Sequence, residues 1–178
     1  DYRKFQQYAK PLLILAIILL VLVLIPGLGR EVAGARRWFR FKFISFQPSE
    51  FASLVMIIYA ADFISRKIDQ LNTIRWGLLP IMSVLGFISL LILMQPDLGT
   101  TMALGMVIFL MLFTAGLKLS YFWAIIASAI PALYFLIFSV PYRQRRILAF
   151  LNPWADPKGS GFQIIQSQVA MGSGGLFG

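Results

Sequence analysis

The chain has 178 residues, of which 59% are hydrophobic and only 13% charged, and its mean hydropathy is +0.80. Soluble globular domains lie nearer half apolar and a quarter charged, so the composition points to an integral membrane protein. The net charge is +9, and the absence of cysteine and histidine excludes disulfides, thiolate chemistry and imidazole as a base or metal ligand.

Freedom from charge locates the helices. Lys10 and Arg30 bracket one uncharged stretch, Arg75 and Asp97 a second, Asp97 and Lys118 a third, Lys118 and Arg143 a fourth. Each is close to the roughly 20 residues that cross a bilayer. A fifth stretch begins at Pro48, where proline in the first turn and Glu50 near the positive end of the dipole suit a helix start. Glu50 and Asp62 leave it only eleven charge-free residues, so it reads as a short span with a polar patch. Spans are expected at about 11–29, 48–65, 76–95, 98–117 and 119–140. All must be helical, because lipid offers no partner to exposed backbone groups and none of them alternates like a barrel strand. The fold class is therefore an all-α polytopic helix bundle, read as a single domain over 1–178 with loops at about 30–47 and 141–178. The chain opens on Asp1, has no signal-peptide layout and stops in GSGGLFG, so it is expected to be a segment of a longer protein.

Five spans define two faces. One carries seven cations (Arg3, Lys4, Lys10, Arg66, Lys67, Arg75, Lys118) and the other nine (Arg30, Arg36, Arg37, Arg40, Lys42, Arg143, Arg145, Arg146, Lys158). The positive-inside tendency thus leans toward a cytoplasmic second face, unless those cations serve an anionic ligand outside. Lipid head groups are the simpler ligand for juxtamembrane arginines. In the turn QPDLGTT, Asp97 suits a helix cap better than a catalytic role. Asp156 precedes a proline and is followed by Gly159 and Gly161, so capping suits it less well. FQIIQSQVAMG reads as a short interfacial helix with Gln163, Gln166 and Ser167 along one stripe. Trp38 and Trp154 suit interfacial anchors, with stacking on sugar or lipid as the alternative. Asp62 lies one turn before Arg66, which makes a local ion pair its simplest account.

The motifs GARRW, FQPSE, QPDLGTT, YRQRR, NPWADPKGSGFQIIQS and GSGGLFG, in this order, resemble the SEDS family of shape, elongation, division and sporulation proteins, the FtsW and RodA type peptidoglycan glycosyltransferases. The pattern PYRQRR with NPWADP is closer to the division branch. The resemblance implies about ten transmembrane helices in the whole protein, of which this chain covers roughly the third to the seventh and most of a large extracytoplasmic loop. It implies a multi-pass protein of the bacterial cytoplasmic membrane whose active site faces outward, which places the nine-cation face outside.

The implied activity is polymerisation of lipid II into glycan strands, with release of undecaprenyl diphosphate. By motif position the resemblance makes Asp156 the catalytic loop aspartate and general base. Arg143, Arg145 and Arg146 are expected to clamp the diphosphate, with Arg36 and Arg37 as second candidates, because arginine offers a permanent charge and a planar fork. Trp38, Lys158 and Gln163 join the substrate-binding set, and Asp97, Glu50 and Glu31 are secondary carboxylates. No Asp-x-Asp pair is present, so no protein metal site is expected, though a divalent cation held by one carboxylate and the substrate remains open. Implied partners are lipid II, the nascent glycan, a class B penicillin-binding transpeptidase and other division or elongation membrane proteins, with no nucleic acid. The rival readings are a lipid II flippase, which should carry more polar residues inside its helices, and a non-catalytic scaffold.

Overall fold

A computed structural model describes residues 2–32, 35–41 and 44–175, with side chains described for 5–29, 37–39 and 45–175. Helix α1 (Tyr2–Leu24) runs through Lys10 and Pro11 and stops before Pro26 and Gly27, so it begins and ends earlier than its charge-free window. The stretch expected as loop 30–47 instead forms a three-stranded antiparallel sheet: β1 (Arg30–Val32), β2 (Ala35–Phe41) and β3 (Ile44–Phe46), in that order. Arg30 pairs with Trp38 and Glu31 with Arg36, across a register irregularity between Arg30 and Glu31, while Phe39 pairs with Phe46. Aromatic and β-branched residues favour this pleated surface.

Helix α2 (Pro48–Lys67) starts on a proline in its first turn and carries Arg66 and Lys67 at its negative end. A π-helical turn (Ile74–Leu78) leads into α3 (Leu79–Leu93), and α4 (Leu98–Thr114) follows a tight turn. Gly116 closes α4 at φ +91°, with Leu117 N–H reaching back to Leu112 O, a left-handed ending for which glycine is the natural residue. Helix α5 (Leu119–Phe138) precedes α6 (Pro141–Leu151), a 3₁₀ turn (Pro153–Ala155) and α7 (Phe162–Ser173). The interval expected as loop 141–178 thus holds two helices, of which α7 is the short helix expected over FQIIQSQVAMG and α6 was not foreseen. The helix-forming run QRRILAFL builds α6 after Pro141, and Pro153 restricts Asn152 to extended backbone and ends it.

Among the described residues three helices are long and apolar enough to cross a membrane: Phe5–Leu24, Ile74–Leu93 and Leu119–Phe138, with mean hydropathies of 2.3, 2.2 and 2.0. Helix α4 is a shorter apolar helix. Glu50 and Asp62 dilute the apolar run of α2.

Where the sequence suggested one domain, the chain forms two compact units, Asp1–Leu119 and Ser120–Gly178. In the first, α2 packs against α1, α3 and α4. Buried residues recur at intervals of three and four: Ala9, Leu13, Ala16, Leu20 and Val23 on α1, Ile81, Leu85, Ile88 and Ile92 on α3, Leu104, Ile108 and Leu112 on α4. Ala9, Ala16, Ala52 and Ala60 are wholly buried, as expected where helices in lipid associate by close van der Waals approach. In the second unit Ala149 and Ile165 are buried, whereas α5 buries no residue.

The first unit has two chemically distinct ends. At one, Asn72 Nδ2 donates to Gly116 O (3.1 Å) and Lys118 N–H to Asn72 Oδ1 (2.6 Å), joining the α2–α3 connection to the end of α4. At the other, β2 and the residue before α2 meet the α3–α4 turn through Arg37 and Gln47.

Candidate functional site

Asp156 follows the 3₁₀ turn and organises the chain around its own carboxylate. Gly159 N–H donates to Oδ1 (3.1 Å), and Ser160 N–H (2.9 Å) and Ser160 Oγ (3.1 Å) donate to Oδ2. Gly161 N–H donates to the Asp156 carbonyl (3.0 Å). The turn is tight enough to require its glycines. A Cβ on Gly159 would stand 2.2 Å from Asp156 Oδ2, and one on Gly161 would stand 2.0 Å from the Pro153 carbonyl oxygen. The amide of Ser160, then its hydroxyl, hold the exposed carboxylate below the ordinary aspartate range, with the Gly159 amide adding to the effect against a small opposing desolvation. Asp156 therefore caps a turn, not a helix, since α7 begins only at Phe162. A carboxylate has about four lone-pair positions. Among the described residues Oδ1 takes one donor and Oδ2 two, so Oδ1 retains an open position for a hydroxyl.

The arginines expected as one loop clamp lie on helix α6 and diverge. At 100° per residue, Arg143 and Arg146 lie about 60° apart and Arg145 about 160° from Arg143. Arg143 Nη1 donates to Leu136 O (2.7 Å), Gln144 Nε2 to Phe138 O (2.6 Å) and Ser139 Oγ to Phe135 O (2.6 Å). These are last-turn carbonyls of α5; Phe135 O also accepts from the Ser139 N–H, while Leu136 and Phe138 lie beyond the reach of a following helical turn, and a cation there also suits the dipole. Arg145 and Arg146 are exposed, and Arg146 lies 5.1 Å over the Tyr142 ring. Lys158, in the Asp156 turn, and Gln163, in the first turn of α7, are both exposed. So is Trp154, at 66%.

In the first unit Arg37 Nε donates to Gln95 O (2.8 Å) and Nη2 to Pro96 O. Asp97 caps α4, accepting from Thr100 N–H (3.2 Å) and Thr100 Oγ1 (2.9 Å), and also accepts from Gln47 Nε2 (3.2 Å). This is the cap its position in QPDLGTT suggested. Gln47 Nε2 reaches the buried Ser49 as well (2.9 Å). Trp38 is half-buried on β2, and Glu50 is exposed in the first turn of α2. The side chains of Glu31 and Arg36 lie outside those described. Asp62 is buried and paired with Arg66 Nε at 2.7 Å, the local ion pair its spacing implied.

Gln47, Ser49 and Gln95 had not been singled out as site residues. Their signal was faint: polar residues beside Pro48 and Pro96, at helix starts.

A family profile described as "cell cycle protein", for FtsW, RodA and SpoVE, matches residues 1–178. The chain belongs to the FtsW/RodA/SpoVE family. It is 46% identical over its whole length to the probable peptidoglycan glycosyltransferase FtsW of Geobacter sulfurreducens, covering 48% of that protein. It is 42% identical, again over its whole length, to stage V sporulation protein E of Bacillus subtilis, covering 49%. Among solved structures, a peptidoglycan synthase complex described as coordinating polymerisation and crosslinking aligns over 98% of this chain and 51% of that one, at a TM-score of 0.70 and 33% identity. The rod shape determining protein RodA of Thermus thermophilus aligns over 77% and 43%, at a TM-score of 0.62 and 30% identity. The chain spans about half the length of the curated relatives it matches. As in those relatives, the architecture is that of a polytopic helical membrane protein.

Proposed function

We propose that the protein containing this chain is a peptidoglycan glycosyltransferase that joins lipid II units into glycan strands at the outer face of the bacterial cytoplasmic membrane during septal wall synthesis. The observation that carries this reading is the Asp156 turn: an exposed carboxylate, fixed by three donors, with an open acceptor position, in a family whose relatives bear the name peptidoglycan glycosyltransferase.

The reaction needs a group to take the proton of the acceptor sugar hydroxyl and positive charge near the departing diphosphate. Asp156 Oδ1 accepts the hydroxyl proton as the hydroxyl oxygen bonds to the donor's anomeric carbon. The bond from that carbon to the diphosphate oxygen breaks, and undecaprenyl diphosphate leaves with the electron pair. The donors that lower the basicity of Asp156 also make it a weak base, so proton acceptance accompanies bond formation and does not precede it. Arg145 and Arg146, exposed and unattached to helix ends, are the arginines of α6 left for the diphosphate, and Lys158, also exposed, is a further cation of this kind. Arg143 binds α5 instead. Among the described residues no three Asp, Glu, His or Cys side chains gather to hold a metal. A divalent cation in this reaction would take oxygens from Asp156 and from the substrate diphosphate. A class B penicillin-binding transpeptidase is the proposed partner, in keeping with the crosslinking complex among the structural relatives.

The test is the full-length protein with its partner transpeptidase inactivated, in detergent, given labelled lipid II. Glycan ladders on a gel, together with released undecaprenyl diphosphate, are the expected result. Detergent abolishes sidedness, so a flippase would yield neither product.

A further inference from the structure

The side chain of Arg37 is committed to protein backbone. Its Nε and Nη2 reach two consecutive carbonyls, Gln95 and Pro96, in the turn between α3 and α4. Gln47, just after β3, reaches the same turn from the other side through Asp97. Arg37 lies within β2 and Gln47 directly follows β3, so two adjacent strands of the sheet are each tied to the turn. Inside the turn the polar set is incomplete. Gln95 is wholly buried, its Nε2 points to Leu20 O at 3.4 Å, and its Oε1 has no partner among the described residues. Turning the amide over would set two carbonyl oxygens against each other. An unpaired buried acceptor costs the turn stability, which makes ties from outside matter more.

We propose that Arg37, with Gln47, is a positioning residue that latches the outer sheet onto the α3–α4 turn, and that it is not a ligand of the substrate diphosphate. The planar guanidinium suits this task because its fork addresses two neighbouring acceptors at once, which a lysine cannot do. This rests on the glycosyltransferase reading for its effect on activity, though the latch itself does not. Its loss lets the sheet lift from the bundle end and lowers the rate at which bound lipid II reacts, without altering how the diphosphate is held.

The experiment uses the full-length protein in detergent, with any cysteines outside this segment replaced and the partner transpeptidase inactivated. Ser49→Cys reports on the latch, since Ser49 is wholly buried beneath Gln47, and Leu71→Cys, wholly buried at the opposite end, reports on general loosening. Each is labelled with a water-soluble maleimide in the presence of Arg37, Arg37→Lys or Arg37→Gln. The latch predicts that Arg37→Gln accelerates labelling at position 49 by at least about tenfold, the factor set by losing one charge-assisted hydrogen bond. Labelling at position 71 stays unchanged, and Arg37→Lys falls between. In polymerisation, kcat falls while KM for lipid II holds. Unchanged labelling at position 49, equal acceleration at both positions, or a raised KM at constant kcat would each overturn the proposal. Absence of polymer from the unsubstituted protein would sink the glycosyltransferase reading alone, because the labelling still decides the latch.

Discussion

Gly161→Ala tests how closely the chemistry depends on the shape of the Asp156 turn. The new Cβ would stand 2.0 Å from the Pro153 carbonyl oxygen and 2.9 Å from that of Asp156, where ordinary contact begins near 3.4 Å. Both obstacles are backbone atoms and cannot rotate away, so the two sides of the turn must part by about 1.4 Å. That movement stretches the Gly161 N–H bond to Asp156 O and carries the carboxylate with it. A misplacement of about 1 Å in a catalytic group costs roughly 10²-fold in rate. Gly161→Ala is therefore expected to lower polymerisation about a hundredfold in the full-length protein while leaving the helices intact by circular dichroism. Gly172→Ala on α7 is the control, because nothing lies within 4 Å of its Cβ position, and it should polymerise normally. Wild-type rates from Gly161→Ala would refute the claim that the turn geometry matters.

Three further outcomes follow from the same contacts. Ser160 lowers the Asp156 pKa, so the carboxylate stays ionised through the neutral range, and the turn loses its support only as pH falls through that depressed value. Ser160→Ala should move the acidic limb of the rate profile upward in pH, and an unmoved limb would separate that limb from Asp156. Arg143→Gln should act on stability, by about 1.5–3 kcal/mol for a charge-assisted bond, read as a lower midpoint of thermal unfolding. Arg145→Gln and Arg146→Gln should instead weaken polymerisation with little change in that midpoint. On α2, Arg66→Ala leaves Asp62 buried without its partner and should cost more stability than Asp62→Asn, which leaves only an exposed arginine, by about 1–3 kcal/mol.

Local rules made much of the fold legible. Charge-free runs located the helices because burying a charge in lipid is expensive, Pro48 marked the start of α2, and Asp97 and the Asp62–Arg66 spacing each announced a contact made within one turn of helix. The sheet was missed although Phe39, Phe41 and Phe43 alternate with Arg40 and Lys42, a period of two overshadowed by the helical signal on either side. Helix α6 was missed because its arginines marked it as loop, whereas a helix that buries only Ala149 accepts charge around most of its circumference. The partners of Arg37 and Arg143 could not be read at all. Both are carbonyls whose availability depends on where a neighbouring helix ends, and carbonyls leave no mark in a sequence.

The most direct test replaces Asp156 with Asn in the full-length protein, supplies labelled lipid II in detergent and resolves the products on a gel. The substitution keeps the size of the side chain and removes its capacity to take a proton. Polymer from the unsubstituted protein with loss of about 10²–10⁴-fold in the folded Asp156→Asn variant is the predicted result. Equal polymer from both would contradict the account and move the base to another carboxylate, Asp97 or Glu31 first.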